Sequence, residues 1–433
     1  MNNQTPSAMP ARFQQSGYLR SVSVAALCVA GLLVTASNGT AADWPQWRGP
    51  TRDGVSKETG LLREWPKEGP KLVWKRDGIG TGYAAPSVAG GRVYILANEG
   101  LENEFVQALS VEDGKKVWST RLGMVGNPNQ KPTFPAARST PTVEGDVLYA
   151  LGSDGDLACV ETGTGKIRWQ KNLRKDFEGK PGTWAYAESP LIDGEALVCT
   201  PGGASATVVA LNKKTGDVLW KAATAEGDEA AYASAVPLEA EGGREYVQLL
   251  QKGLVGLDAK TGKVLWRYAK ATSRYGANIP SPLVMGSTVF VGAAGTGAGL
   301  VKVKGATAEE AYFDAKLPTA IGGAVTVGGV IFGTTAKALV CIDAATGQVK
   351  WDNAALGSAS LCTADGLLFL HGENGEVALV EASSDAYKEK GRFAPAEQPA
   401  KSNPMEKAWA YPALADGRLY IRDHGVLWCY AVK

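Results

Sequence analysis

From about residue 71 onward, short runs of alternating apolar and polar residues are broken repeatedly by Gly, Pro, Asp and Asn. A period of two marks strands with two unlike faces, and closely spaced turn residues mark hairpins. One pattern pairs two strands. Ala85-Pro86-Ser87-Val88 leads to Val93-Tyr94-Ile95, and Ser281-Pro282-Leu283-Val284 leads to Val289-Phe290-Val291. The aromatic falls eight residues after the proline, as it does in Pro141–Tyr149 and Pro412–Tyr420. Degenerate copies set Ala324 before Phe332, Leu361 before Phe369 and Pro190 before Val198, with a longer version over Ser234–Tyr246. These make eight copies.

A second pattern follows the first. Trp118, Trp169, Trp220, Trp266 and Trp351 each have a glycine four residues earlier: Gly114, Gly165, Gly216, Gly262 and Gly347. Thr or Asp stands five before, an Asp, Asn, Glu or Ser eight before, and a small residue ten before. The unit reads as a third strand, a tight turn and a fourth strand. The polar oxygen can bond turn amides, glycine supplies φ > 0, and the indole has the area to pack between neighbouring sheets.

Repeats of this kind stack or close into rings. The eighth copy begins at Trp409 and reaches the C-terminus at Leu427-Trp428-Cys429-Tyr430 without a fourth strand. Lys71-Leu72-Val73-Trp74-Lys75 supplies it, so Trp74 joins the docking tryptophans. The expected fold is an all-β, eight-bladed propeller of four-stranded antiparallel blades over 71–433, closed by pairing of its N- and C-terminal strands. Closure removes exposed sheet edges. Residues 43–70 are expected as a Trp/Pro-rich arm packed on one face. A β-sandwich does not repeat such a turn.

The start of the chain differs. Arg12 and Arg20 precede the apolar run Val22–Val34, no acidic residue occurs before Asp43, and small residues lead to Ala41 and Ala42. Residues 1–42 read as a secretory signal peptide cleaved after Ala41 or Ala42. The apolar run is shorter than the ~20 residues that cross a bilayer, and no later segment is apolar enough to do so. Cys28 follows Leu27 rather than a small residue, which argues against a lipoprotein site. An exported protein, periplasmic or secreted, is expected.

Composition narrows the function classes. Of 433 residues, 45 are Lys or Arg and 44 Asp or Glu, a balance that offers no basic surface for nucleic acid. Two histidines leave little scope for zinc sites or Ser-His-Asp chemistry, and no metal site is expected. His371 and His424 stand in polar turns and are expected to face solvent. Five cysteines remain after residue 42, an odd number, so one thiol at least is unpaired within the chain. Cys159 and Cys341 occupy the small slot of the repeat, where core packing suits them. The glycine-rich runs Gly78–Gly82 and Gly295–Gly299 lack the helix that a phosphate loop needs and read as turns.

The copies Leu211-Asn212-Lys213-Lys214-Thr215-Gly216-Asp217-Val218-Leu219-Trp220 and Leu257-Asp258-Ala259-Lys260-Thr261-Gly262-Lys263-Val264-Leu265-Trp266 resemble the pyrroloquinoline-quinone (PQQ) repeat. The resemblance covers roughly residues 70–433, and the opening Trp44-Pro45-Gln46-Trp47-Arg48-Gly49-Pro50 is similar to the start of exported bacterial PQQ-like proteins. It implies one of two branches: quinoprotein dehydrogenases, which use PQQ and usually calcium, or the non-catalytic outer-membrane assembly factor BamB. The adjacent cysteine pair of typical quinoprotein alcohol dehydrogenases is missing, as is the Cys-x-x-Cys-His of haem-bearing relatives.

The segments leading into the innermost strands carry Tyr83, Arg138, Trp184, Tyr186, Glu188, Tyr232, Arg274, Tyr275, Asn278, Trp409 and Tyr411. In a propeller they converge on one mouth of the central channel, as a ligand or peptide platform or as wedges between blades. The reading preferred from sequence is a non-enzymatic, monomeric scaffold that docks envelope or secreted proteins, with no cofactor. The alternative is a quinoprotein oxidoreductase. In it Arg138 or Arg274 meets PQQ carboxylates, Tyr186, Tyr275, Asn278 and Trp409 complete the cofactor site, and Glu188 ligates calcium or acts as base. A carbohydrate-binding propeller using rim aromatics is a further alternative.

Overall fold

Eight four-stranded antiparallel sheets follow one another along the chain, each strand pairing with the next in sequence. The computed structural model describes residues 43–127, 134–274, 276–354, 356–401 and 404–433. The signal-peptide reading of 1–42 and the candidate Tyr275 lie outside them. Blades 1 to 7 span residues 87–123, 142–172, 191–222, 236–268, 283–314, 324–353 and 359–393. Blade 8 takes three strands from 413–431, and its outermost strand is Lys71–Arg76. Lys71 pairs with Ala431, Leu72 with Tyr430 and Trp74 with Cys429, so the two ends of the propeller share one sheet and close the ring.

Tryptophans on outer strands join neighbouring blades. Trp74, Trp118, Trp169 and Trp220 donate their indole N–H to Val111, Thr162, Lys213 and Ala259 carbonyls of the next blade, at 2.8, 2.9, 3.0 and 3.1 Å. Each ring lies on a turn glycine of that blade. A Cβ on Gly114, Gly165, Gly216 or Gly262 would fall 2.4–3.0 Å from the indole, and all four have φ between +66° and +78°. Glycine is thus required twice, for conformation and for contact. Trp351 donates to Ser383 of blade 7 at 3.0 Å.

Trp266 departs from this pattern. Its N–H goes to Glu245 Oε2 of its own blade at 2.7 Å, because the facing hairpin of blade 5 is the short Lys304–Thr307 turn without the glycine motif. The ring still packs in the apolar cluster shared by blades 4 and 5. Tyr312 takes over on blade 5, lying on Gly347 and donating to Ala344 of blade 6 at 3.0 Å.

The arm does not rest on one face. Trp44 exchanges backbone hydrogen bonds with Val88 of blade 1, both 2.8 Å, and the Pro45 carbonyl accepts from Val143 of blade 2 at 2.8 Å. Arg52 donates to Ser189 and Pro190 carbonyls at the start of blade 3, at 2.8 and 3.1 Å. Trp47 reaches Ser281 Oγ before blade 5 at 2.9 Å, Arg48 donates to Ala324 of blade 6, and Gly54 to Ser56 bracket Thr363 of blade 7. Contact with the innermost strands of blades 1, 2, 6 and 7 and with the segments entering those of blades 3 and 5 places residues 44–56 in the middle of the ring. Farther on, Trp65 bonds Lys390 and Leu62 bonds Val432, each at 2.8 Å, sealing the seam between blades 7 and 8.

Two further expectations are corrected. His371 is buried at 1% exposure and its Nδ1 pairs with the Ala410 carbonyl at 2.9 Å, while His424 is largely enclosed and meets the Tyr83 ring edge-on. Both sit where lead-in segments fold over the turns. Cys159, Cys199, Cys341, Cys362 and Cys429 are all free and buried.

Candidate functional site

In an extended segment successive side chains point to opposite sides. The fourth residue before an innermost strand is Tyr83, Arg138, Ala187, Tyr232, Ile279 and Trp409 for blades 1, 2, 3, 4, 5 and 8, and all six face a common cup. Tyr411 and Ala277, two residues either side of that register, join it, as do Trp184 and Phe134. On blade 6 the bend at Gly322-Gly323 moves the lining position to Ile321. The arm contributes Trp47. The cup has a volume of about 280 Å³.

Its wall is a set of ring contacts. Trp47 and Tyr411 have centroids 4.5 Å apart, Tyr83 and Trp409 5.0 Å, Phe134 and Trp409 5.2 Å, and Trp184 and Tyr232 5.8 Å. Tyr411 donates its hydroxyl to the Ile321 carbonyl, and the Tyr232 oxygen accepts from Trp184 N–H at 3.0 Å. Burial raises the pKa of both phenols, Tyr411 to about 12. The Arg138 guanidinium is half-buried, 5.2 Å from the Tyr83 ring centroid, and donates to the Phe134 carbonyl. Desolvation lowers its pKa, against the pull of Tyr83.

The other candidates sit elsewhere. Tyr186 and Glu188 flank Ala187 and therefore point into the wall. Tyr186 donates to Pro201 at 2.8 Å. Glu188 is 2% exposed and accepts from the Thr200 N–H, with Gln248 Nε2 at 3.5 Å. Burial pushes its carboxyl up to about 7. Asn278 is fully buried and spent, accepting from Ser273 at 2.7 Å and donating to Leu250 and Gln251 at 2.7 and 3.0 Å. Arg274 is exposed and outside the cup lining. Sequence reasoning missed Trp47, Phe134, Ile279 and Ile321. The fixed register before each innermost strand is the signal that finds Ile279, while Trp47 has none within its own segment.

The cup does not suit the group that the PQQ repeat implies. PQQ carries three carboxylates, and Arg138 is the one cation among the described lining residues. Calcium takes six to eight oxygen ligands, and that lining holds neither carboxylate nor side-chain amide. Among the described residues no cluster of three or more His, Cys, Asp or Glu could hold a metal.

Comparison with known proteins places the fold. A family model described as "Outer membrane protein assembly factor BamB" matches residues 54–200 and 102–353. BamB of Salmonella typhimurium is 28% identical over 92 residues, 21% of this chain and 22% of that protein, so the match spans about a fifth of the relative's length. The crystal structure of BamB from Moraxella catarrhalis superposes with a TM-score of 0.60 at 16% identity, covering 84% of this chain and 97% of that one. A europium-containing methanol dehydrogenase gives a TM-score of 0.68 at 11% identity, covering 88% and 89%. Such identities carry fold alone, but the family model covers well over half the chain. With eight blades, most of them joined by outer-strand tryptophans, the chain belongs to the BamB-like family of PQQ-repeat β-propellers.

Proposed function

We propose that the chain is an exported, non-enzymatic scaffold of the bacterial cell envelope that docks a partner protein in the aromatic cup. The observation that supports this most is the make-up of the cup. Seven rings and one arginine line it, and no serine, threonine, cysteine, lysine, histidine or carboxylate is among its described residues. Such a lining binds by apolar burial and aromatic contact, the usual energetics of interface anchors, and offers no group to move a proton near neutral pH. The signal-like segment 1–42 and the likeness to BamB support an envelope location. No helix among the described residues is long and apolar enough to cross a membrane.

The test places a photo-crosslinking benzoylphenylalanine at Trp184 in the cup and, as control, at Leu219, which is 49% exposed on blade 3. In an envelope extract the Trp184 probe should join one dominant polypeptide that the Leu219 probe does not. Absence of that adduct, together with dye reduction by an alcohol in the presence of PQQ and Ca²⁺, overturns the reading in favour of a dehydrogenase.

A further inference from the structure

Among the described residues of the cup, Arg138 is a cation whose donors are mostly unmet by protein acceptors. Arg138 has five N–H donors and gives the Phe134 carbonyl one partner. Among the described residues no carboxylate forms an ion pair with it. The carboxyl behind it, Glu104, is fully buried and already takes the Ser153 N–H at 2.9 Å and the Ser153 hydroxyl. Burial pushes Glu104 up to about 7, so it supplies an incomplete counter-charge. Of the cup tyrosines, Tyr411 gives its proton to the Ile321 carbonyl and Tyr232 accepts from the Trp184 N–H, so neither of these bonds involves Arg138. A half-buried guanidinium in an apolar wall, with one protein partner, is suited to a charged acceptor that an occupant would bring.

Charge and size define that occupant. One cation in an apolar wall matches one negative charge, whereas a polyanion would leave charge uncompensated there. A cavity of about 150 Å³ holds benzene. A cup of about 280 Å³ has room for one aromatic or bulky aliphatic side chain and a carboxylate. We propose that the cup receives the free C-terminal residue of a partner polypeptide, its carboxylate on Arg138 and its apolar side chain among the rings. This rests on the protein-docking reading above and names the part of the partner that is held.

The test titrates the purified protein with acetyl-Gly-Ser-Gly-Phe as free acid, the same peptide as C-terminal amide, and 3-phenylpropionate, following tryptophan fluorescence and calorimetry. The acid should bind roughly tenfold or more tightly than the amide, the range of a charge-assisted hydrogen bond. Arg138→Met should erase that preference, and Arg138→Lys should restore part of it. Near-ultraviolet circular dichroism checks that each variant is folded. Equal binding of acid and amide overturns the inference, and so does 3-phenylpropionate binding as tightly as the peptide, which would assign the cup to small acids. If the acid preference is found but the Trp184 probe joins no protein, the docking reading falls and the carboxylate site stands. If crosslinking persists in full with Arg138→Met, docking stands and this inference falls.

Discussion

Single residues carry the joints between blades. Gly262 has φ +73°, and a Cβ there would lie 2.4 Å from Trp220. Gly262→Ala should therefore combine left-handed strain with overpacking and cost about 2–4 kcal/mol. Gly90 has φ +57° and nothing within 4 Å, so Gly90→Ala should cost about 1 kcal/mol of strain alone. Urea denaturation separates the two, and equal losses would show that indole docking contributes nothing. Glu104 and Glu188 make a second prediction. Burial raises both carboxyls from 4.5 to about 7. A raised carboxyl binds its proton more tightly when folded, so its contribution is complete below about pH 4.5 and is lost as pH rises through about 7. Glu188→Gln should flatten the stability profile across that window relative to wild type. A variant profile parallel to wild type would contradict the assignment.

At the scale of elements, the arm acts as an axle. Arg52 satisfies two blade 3 carbonyls and Gln46 Oε1, at 2.8–3.1 Å, and burial lowers its pKa to about 10. Arg52→Met keeps bulk but strands the Ser189 carbonyl, because Pro190 still accepts from the Thr142 hydroxyl at 2.6 Å, and should cost about 1–3 kcal/mol. An unchanged denaturation midpoint would mean that water replaces the guanidinium. The arm also shows where sequence reading stops. The Gly-x-x-x-Trp turn is legible because its parts lie four residues apart and answer to local conformation. Arg48 and Ala324 are 276 residues apart, Arg52 and Ser189 137, and no local period encodes such pairings. The cup was legible in part for the same reason. Tyr83, Arg138, Trp184, Tyr232, Trp409 and Tyr411 were found as residues leading into strands, but Tyr186, Glu188 and Asn278 lie one step off the register, and one step in an extended segment reverses the side chain. Trp266 matched every local rule, yet its partner turn in blade 5 is a different hairpin.

For the whole molecule, everything depends on one seam that the chain does not close covalently. The strand Lys71–Arg76 holds blade 8 to blade 1, and it is joined to the C-terminal strand Val426–Ala431 by backbone pairing and by Trp74 on Gly114. Opening that seam would separate the two chain ends and expose a sheet edge. Lys71 and Ala431 are directly paired, Lys71 exposed and Ala431 half-buried. Directly paired residues of antiparallel strands have Cα separations of about 4.5–5.5 Å, within the range a disulfide spans. Lys71→Cys with Ala431→Cys should therefore oxidise in place, and the five native thiols are buried where they compete poorly. The bridge encloses the entire propeller, the longest loop this fold offers. Chain entropy sets an upper bound of about 6 kcal/mol for so long a loop, and a gain of about 2–4 kcal/mol in resistance to urea, reversed by reductant, is expected. If the oxidised and reduced forms unfold at the same midpoint, the seam is not where the ring first opens. The apolar seals of the arm at blades 7 and 8 would then be holding the ends together after the strand has left.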